Sequence, residues 1–125
     1  MWQLSPSLFN VLNLLRELPQ GMSQTELSRA LLMHRSNLTG LVDRLEERGL
    51  VKRLEVPGDR RSYRVVLTPD GQRVVEEILP RYYNAAREVW GEMSDARAQE
   101  LCRELAQVSE NAERLAARLN KPSLK

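Results

Sequence analysis

The sequence predicts a mainly helical α+β fold: a small β-hairpin set behind two closely spaced helices, then long helices to the end of the chain. Three observations predict it. Ser23 and Glu26 form the signature that opens a short helix, and only Leu32-Met33-His34 separates it from a second helical stretch. Next come a short strand and a β-branched, aromatic return strand around the turn Gly58-Asp59-Arg60-Arg61. Beyond Thr68 the apolar residues alternate spacings of four and three, the rhythm of helices that pack on helices. The organisation expected is a helix-turn-helix with a hairpin wing over residues 5–68 and a helical region over 69–120.

Each element has a local cause. Ser5 before Pro6 starts the first helix, because the hydroxyl caps free amides and proline's fixed φ suits the first turn. Leu8, Val11, Leu12, Leu15 and Leu18 give it a buried stripe, and Pro19-Gln20-Gly21 ends it. The capped helix runs from Ser23 to about Leu31, with Leu27, Ala30 and Leu31 inward. The next spans about Arg35 to Arg48, with Leu38, Leu41, Val42 and Leu45 inward and Gly49 at a left-handed cap. Leu50 to Leu54 reads as a strand, Val56 to Asp59 as a turn, and Ser62 to Leu67 as the return strand. Thr68-Pro69 launches a long helix bearing Val75, Leu79, Tyr82, Ala86, Val89 and Met93, which Pro80 is expected to kink. After a break at Gly91 to Ser94, a last helix bears Leu101, Leu105, Val108, Ala112, Leu115 and Leu119. The tail Lys121 to Lys125 is expected to fray.

Composition narrows the function. At 125 residues, 42% hydrophobic and 29% charged, the chain suits one folded domain with a solvated surface. Its apolar runs are too short for a membrane span, and Met1 to Pro6 lacks the pattern of a signal peptide. One cysteine, Cys102, permits no intrachain disulfide, so a cytoplasmic location is expected. Residues 1–68 carry 10 Lys and Arg against 7 Asp and Glu, while residues 69–125 carry 9 against 10. The positive half is the half with the helices and hairpin, which favours a polyanion there. No phosphate-binding glycine loop, nucleophile elbow or carboxylate–histidine group appears, and one histidine leaves little for acid–base chemistry; no enzyme, metal site or cofactor is expected.

The face of the Arg35–Arg48 helix opposite its leucines carries Arg35, Ser36, Asn37, Thr39, Gly40 and Arg44. Asn and Arg make paired hydrogen bonds to adenine or guanine edges, and Ser and Thr suit phosphates or bases. Gly40 lets a backbone approach closely, and a helix N-terminus offers amides to a phosphate. Taken alone, ordinary solvation explains such a face equally well. The hairpin tip shifts the balance, since Arg60, Arg61 and nearby Arg64 concentrate guanidinium groups of the kind drawn into a narrow minor groove. Double-stranded DNA is the partner this pattern favours. A winged helix that meets an acidic protein surface is the alternative.

Residues 5–80 resemble the MarR-type winged-helix transcriptional regulators. The resemblance rests on Ser23-Gln24-Thr25-Glu26-Leu27, on Leu41-Val42-Asp43-Arg44-Leu45-Glu46-Glu47-Arg48-Gly49-Leu50-Val51, and on Asp59-Arg60-Arg61 with Leu67-Thr68-Pro69-Asp70-Gly71. It implies that Arg35–Arg48 is the recognition helix and Leu50–Leu67 the wing. It also implies a homodimer on a pseudo-palindromic operator, usually a repressor released by a small ligand or by oxidation. Members normally carry a further N-terminal helix in the dimer interface, where this sequence has Met1 to Leu4. Leu32 and His34 stand where a turn glycine and a serine cap are common.

Other residues have competing readings. Tyr82, Tyr83 and Trp90 are candidates to line a pocket for a small aromatic effector, although an aromatic stripe at this spacing more often packs in a core or dimer interface. His34 suits a phosphate contact or an exposed turn equally. Cys102, beside the Leu101/Leu105 seam, fits a packed small hydrophobe better than a redox sensor.

Overall fold

The computed structural model describes residues 2–120. The tail Lys121 to Lys125, expected to fray, lies outside the described residues. The elements in order are α1 (Pro6–Leu15), β1 (Met22–Ser23), α2 (Gln24–Ala30), α3 (Arg35–Glu47), β2 (Val51–Val56), β3 (Asp59–Leu67), α4 (Pro69–Trp90) and α5 (Asp95–Leu119). This is a winged helix-turn-helix of the α+β class, with a three-stranded antiparallel sheet in the order β1-β3-β2. The chain divides into two compact units, one through Asn84 and one from Ala85.

In the first unit the caps sit where the residues place them. Ser5 Oγ accepts from the Leu8 amide at 3.3 Å. Ser23 and Glu26 complete a reciprocal box: Ser23 Oγ accepts from the Glu26 amide at 3.2 Å, and the Ser23 amide donates to Glu26 Oε2 at 2.7 Å. The bond from the Ser23 amide, foremost, and then one from the Ser23 side chain hold the Glu26 carboxyl below the usual range. Thr68 joins two elements, donating its hydroxyl to the Gly49 carbonyl at 2.6 Å and accepting from the Gly71 amide at 3.0 Å at the start of α4.

The core gathers Leu8, Phe9, Val11, Leu12 and Leu15 of α1, Leu27 of α2, Leu38, Leu41, Val42 and Leu45 of α3, Val51 and Val65 of the sheet, and Val75 and Leu79 of α4. Those four α3 residues define its inner face, so the opposite face is left to solvent.

Several local expectations are corrected. Helix α1 stops at Leu15, and Leu18 lies half-buried in the turn beyond it. Ser28, not Ala30, shares the inner face of α2 with Leu27. The strand β1 carries no sequence signal at two residues; it exists because Met22 and Ser23 pair with Val65 and Arg64. Strand β2 runs on to Val56 and β3 starts at Asp59 rather than Ser62, so only Pro57 and Gly58 lie between them. As expected, Pro80 lies inside α4. In the second unit, Gly91 adopts φ +60° at the break and Ser94 Oγ caps α5 by accepting from the Arg97 amide at 3.3 Å. Cys102, expected as a packed hydrophobe, is an exposed free thiol in the single chain. No helix among the described residues is long and apolar enough to cross a membrane.

Candidate nucleic-acid interface

Helix α3 turns Arg35, Ser36, Asn37 and Arg44 to solvent, with Thr39 and Gly40 partly covered. Its N-cap residue, His34, is exposed and makes no side-chain hydrogen bond to the first-turn amides, which leaves them open to an anionic ligand. Thr39 is engaged: its hydroxyl donates to the Arg35 carbonyl at 2.9 Å and accepts from Gln24 Nε2 at 3.3 Å. Gln24 is therefore a link between the two helices of the motif. Nothing in the sequence pairs it with Thr39, because the contact spans fifteen residues across the helix crossing. Arg44 Nε donates to the Gly40 carbonyl at 3.3 Å, which lays its side chain along the helix.

The wing tip is built by a carboxylate. The ladder pairs Glu55 with Tyr63, but the next pair is Val56 with Asp59, so Arg60, Arg61 and Ser62 have no partner on β2 and bulge outward. Asp59 organises that bulge, its two oxygens accepting from Ser62 Oγ at 2.6 Å and from the Arg61 amide at 2.9 Å. Both bonds favour the ionised form, Ser62 foremost, and hold the Asp59 carboxyl below the usual range. The Arg60 and Arg61 side chains are left exposed. Gly58, at φ +85°, supplies the left-handed turn residue.

Arg64 has another position. Its Nε donates to the Gln20 carbonyl at 2.9 Å and its Nη2 to the Gly21 carbonyl at 2.6 Å, with Glu26 Oε2 at 3.4 Å. The guanidinium thus ties β3 to the loop before β1 and stands apart from the tip arginines.

A cleft of about 160 Å³ joins these parts, lined by Ser23, Gln24, Thr25, Arg35, Arg61, Ser62 and Tyr63. It brings the start of α2, the start of α3 and the wing to one surface. The capping box located the first of these, but only the fold sets Gln24 and Thr25 beside Arg35 and Arg61.

A second cavity, of about 570 Å³, is lined by Trp2, Gln3, Leu4, Pro6, Phe9, Asn10, Ile78, Arg81 and Tyr82. Tyr82 packs on Phe9 with ring centres 5.2 Å apart, and Tyr83 meets Tyr82 edge-on at 5.7 Å. Of the three aromatic candidates, then, Tyr82 lines the cavity, Tyr83 backs it, and Trp90 belongs to the second unit. Arg81 is the charged group on its wall. No group of three His, Cys, Asp or Glu among the described residues could hold a metal ion.

A family model described as MarR family matches residues 2–62. The chain is 30% identical over 96 residues to the HTH-type transcriptional regulator PecS of Dickeya dadantii (strain 3937), a match covering 75% of this chain and 58% of PecS. To the transcriptional repressor MprA of Escherichia coli (strain K12) it is 36% identical over 77 residues, covering 62% of this chain and 44% of MprA. The chain thus spans about half the length of these relatives. A solved structure of BpsR from Bordetella bronchiseptica, whose subject is the regulation of its DNA binding by 6-hydroxynicotinic acid, superposes with a TM-score of 0.74 at 29% identity. That match covers 86% of this chain and 80% of BpsR.

Proposed function

The chain belongs to the MarR family, and from that premise we propose that it is a sequence-specific regulator of transcription that binds double-stranded DNA as a homodimer on a pseudo-palindromic operator. The observation that carries this reading is the cleft where Arg35 of the recognition helix meets Arg61 of the wing. A helix in the major groove and a guanidinium-tipped wing reaching the adjacent backbone or minor groove need that adjacency. Arg35 and Asn37 make base or near-base contacts, with Gly40 allowing close approach. Ser36 and Arg44 meet phosphates, and Arg60 and Arg61 work from the wing. Thr39, held by Gln24, fixes the start of the helix. Arg64 contributes by anchoring the wing. The name of MprA, a transcriptional repressor, supports repression as the outcome.

The dimer reading is supported by α5, which has no buried residue in the single chain although Leu101, Leu105, Val108, Leu115 and Leu119 lie along it. An amphipathic helix of that kind calls for a partner. The cavity beside Phe9, Ile78 and Tyr82, with Arg81 on its wall, suits a small aromatic acid, in keeping with the regulation of BpsR by 6-hydroxynicotinic acid.

Fluorescence anisotropy with a mixed-sequence duplex tests DNA binding directly. Saturable binding at low salt is expected, and Arg61→Ala should reduce the salt slope by about one unit if that side chain meets a phosphate. No binding near about 10 µM at low salt would favour a protein-interaction module instead.

A further inference from the structure

The recognition helix is not cationic by itself. From Arg35 to Glu47 it carries two arginines, Arg35 and Arg44, against three carboxylates, Asp43, Glu46 and Glu47. Asp43 follows Thr39 by four residues and Gly40 by three, so it continues the face that presents Ser36, Thr39 and Gly40. A bare carboxylate there would repel a phosphate backbone.

Strand β2 answers this with Arg53. Its Nη2 donates to Asp43 Oδ1 at 2.5 Å and its Nη1 to Glu46 Oε2, while its backbone amide donates to Glu46 Oε1 at 3.3 Å. The guanidinium carbon stands 5.3 Å from the centre of the Tyr63 ring, and Tyr63 lines the cleft with Arg35 and Arg61. The Arg53 side chain is only 20% exposed, whereas Asp43 and Glu46 are 52% and 40% exposed. The arginine lies beneath the carboxylates it neutralises. Its planar fork serves two acceptors while its face stacks on an aromatic ring, a combination that lysine lacks.

We propose that Arg53 is a positioning residue for DNA binding: it cancels the Asp43 and Glu46 charges, so that the helix meets the duplex without net negative charge. The inference rests on the DNA-binding reading above. It separates two roles that one substitution would confuse, because a mere latch needs the carboxylates whereas a charge mask is needed only while they are present.

Binding of the full chain to a labelled mixed-sequence duplex at low salt would be measured for the wild type, Arg53→Ala, the pair Asp43→Asn with Glu46→Gln, and all three changes together, with melting temperature followed in parallel. Arg53→Ala should weaken binding by roughly tenfold or more, as like charges brought together do. The carboxylate pair should bind as well as the wild type or better, and the triple variant should recover most of the loss. An unchanged Arg53→Ala, or a carboxylate pair that loses as much as Arg53→Ala, overturns the proposal. If Arg53→Ala fails to fold, the carboxylate pair alone decides the matter, since its side chains are half-exposed. A wild type that binds no duplex overturns the DNA reading itself, and this inference with it.

Discussion

Asp59 illustrates how a single side chain decides what the wing can do. The Gly-Asp-Arg-Arg run makes a basic turn legible, but it does not say that the aspartate spends both oxygens on its own loop instead of pairing with an arginine head. The consequence is titratable. The Asp59 carboxyl is held below the ordinary range, so its contribution is fully present above the unfolded aspartate pKa and is lost as pH falls through the folded one. A carboxyl-carbon NMR titration should therefore place its midpoint below the usual value, and the Arg61 amide should shift with that same midpoint. A midpoint at or above the ordinary aspartate value would remove Asp59 as the organiser of the tip. Arg64 makes the converse point. Its spacing from Arg61 suggests one cluster, yet the pairing of β1 with β3 brings it to the Gln20 and Gly21 carbonyls.

At the scale of elements, caps and stripes were readable because their causes are local. Ser5 and Ser23 cap the helices they precede, and the inner face of α3 is the one its leucines mark. Replacing Ser23 by Ala removes one half of the capping box and should cost about 1 kcal/mol, read as a lower melting temperature. The joint between wing and α4 was less legible. A Cβ on Gly71 would stand 2.0 Å from the Leu50 carbonyl oxygen, so α4 can start where it does only with glycine there. Gly71→Ala should destabilise by about 1–3 kcal/mol, since backbone has to move aside. A melting temperature unchanged by that substitution would mean that the approach of α4 to Leu50 is looser than described. The strand β1 escaped the sequence altogether, because two residues have no periodicity to show.

For the whole molecule the question is what covers the apolar side chains of α5. Leu105 and Val108 are 59% and 64% exposed in the single chain. Mass in solution should be that of a dimer, and Leu105→Glu should shift it toward monomer while leaving the cap and core of the first unit intact. On the reading above, that variant should also lose affinity for a two-fold symmetric duplex far more than for a single half-site, because two linked half-sites act as one ligand. A wild type of monomer mass would end the case for a palindromic operator.

The sequence by itself determined the helices, their caps, the position of the wing and the face of α3 that stays polar, because periodicity, capping and turn chemistry act over a few neighbouring residues. The tertiary structure alone decided that Gln24 braces Thr39, that Arg53 answers Asp43 and Glu46, that Arg64 leaves the tip, and that Arg35 and Arg61 share a cleft. Those contacts join residues separated by seven to over forty positions, and such partners are chosen by how the packed core orients the elements.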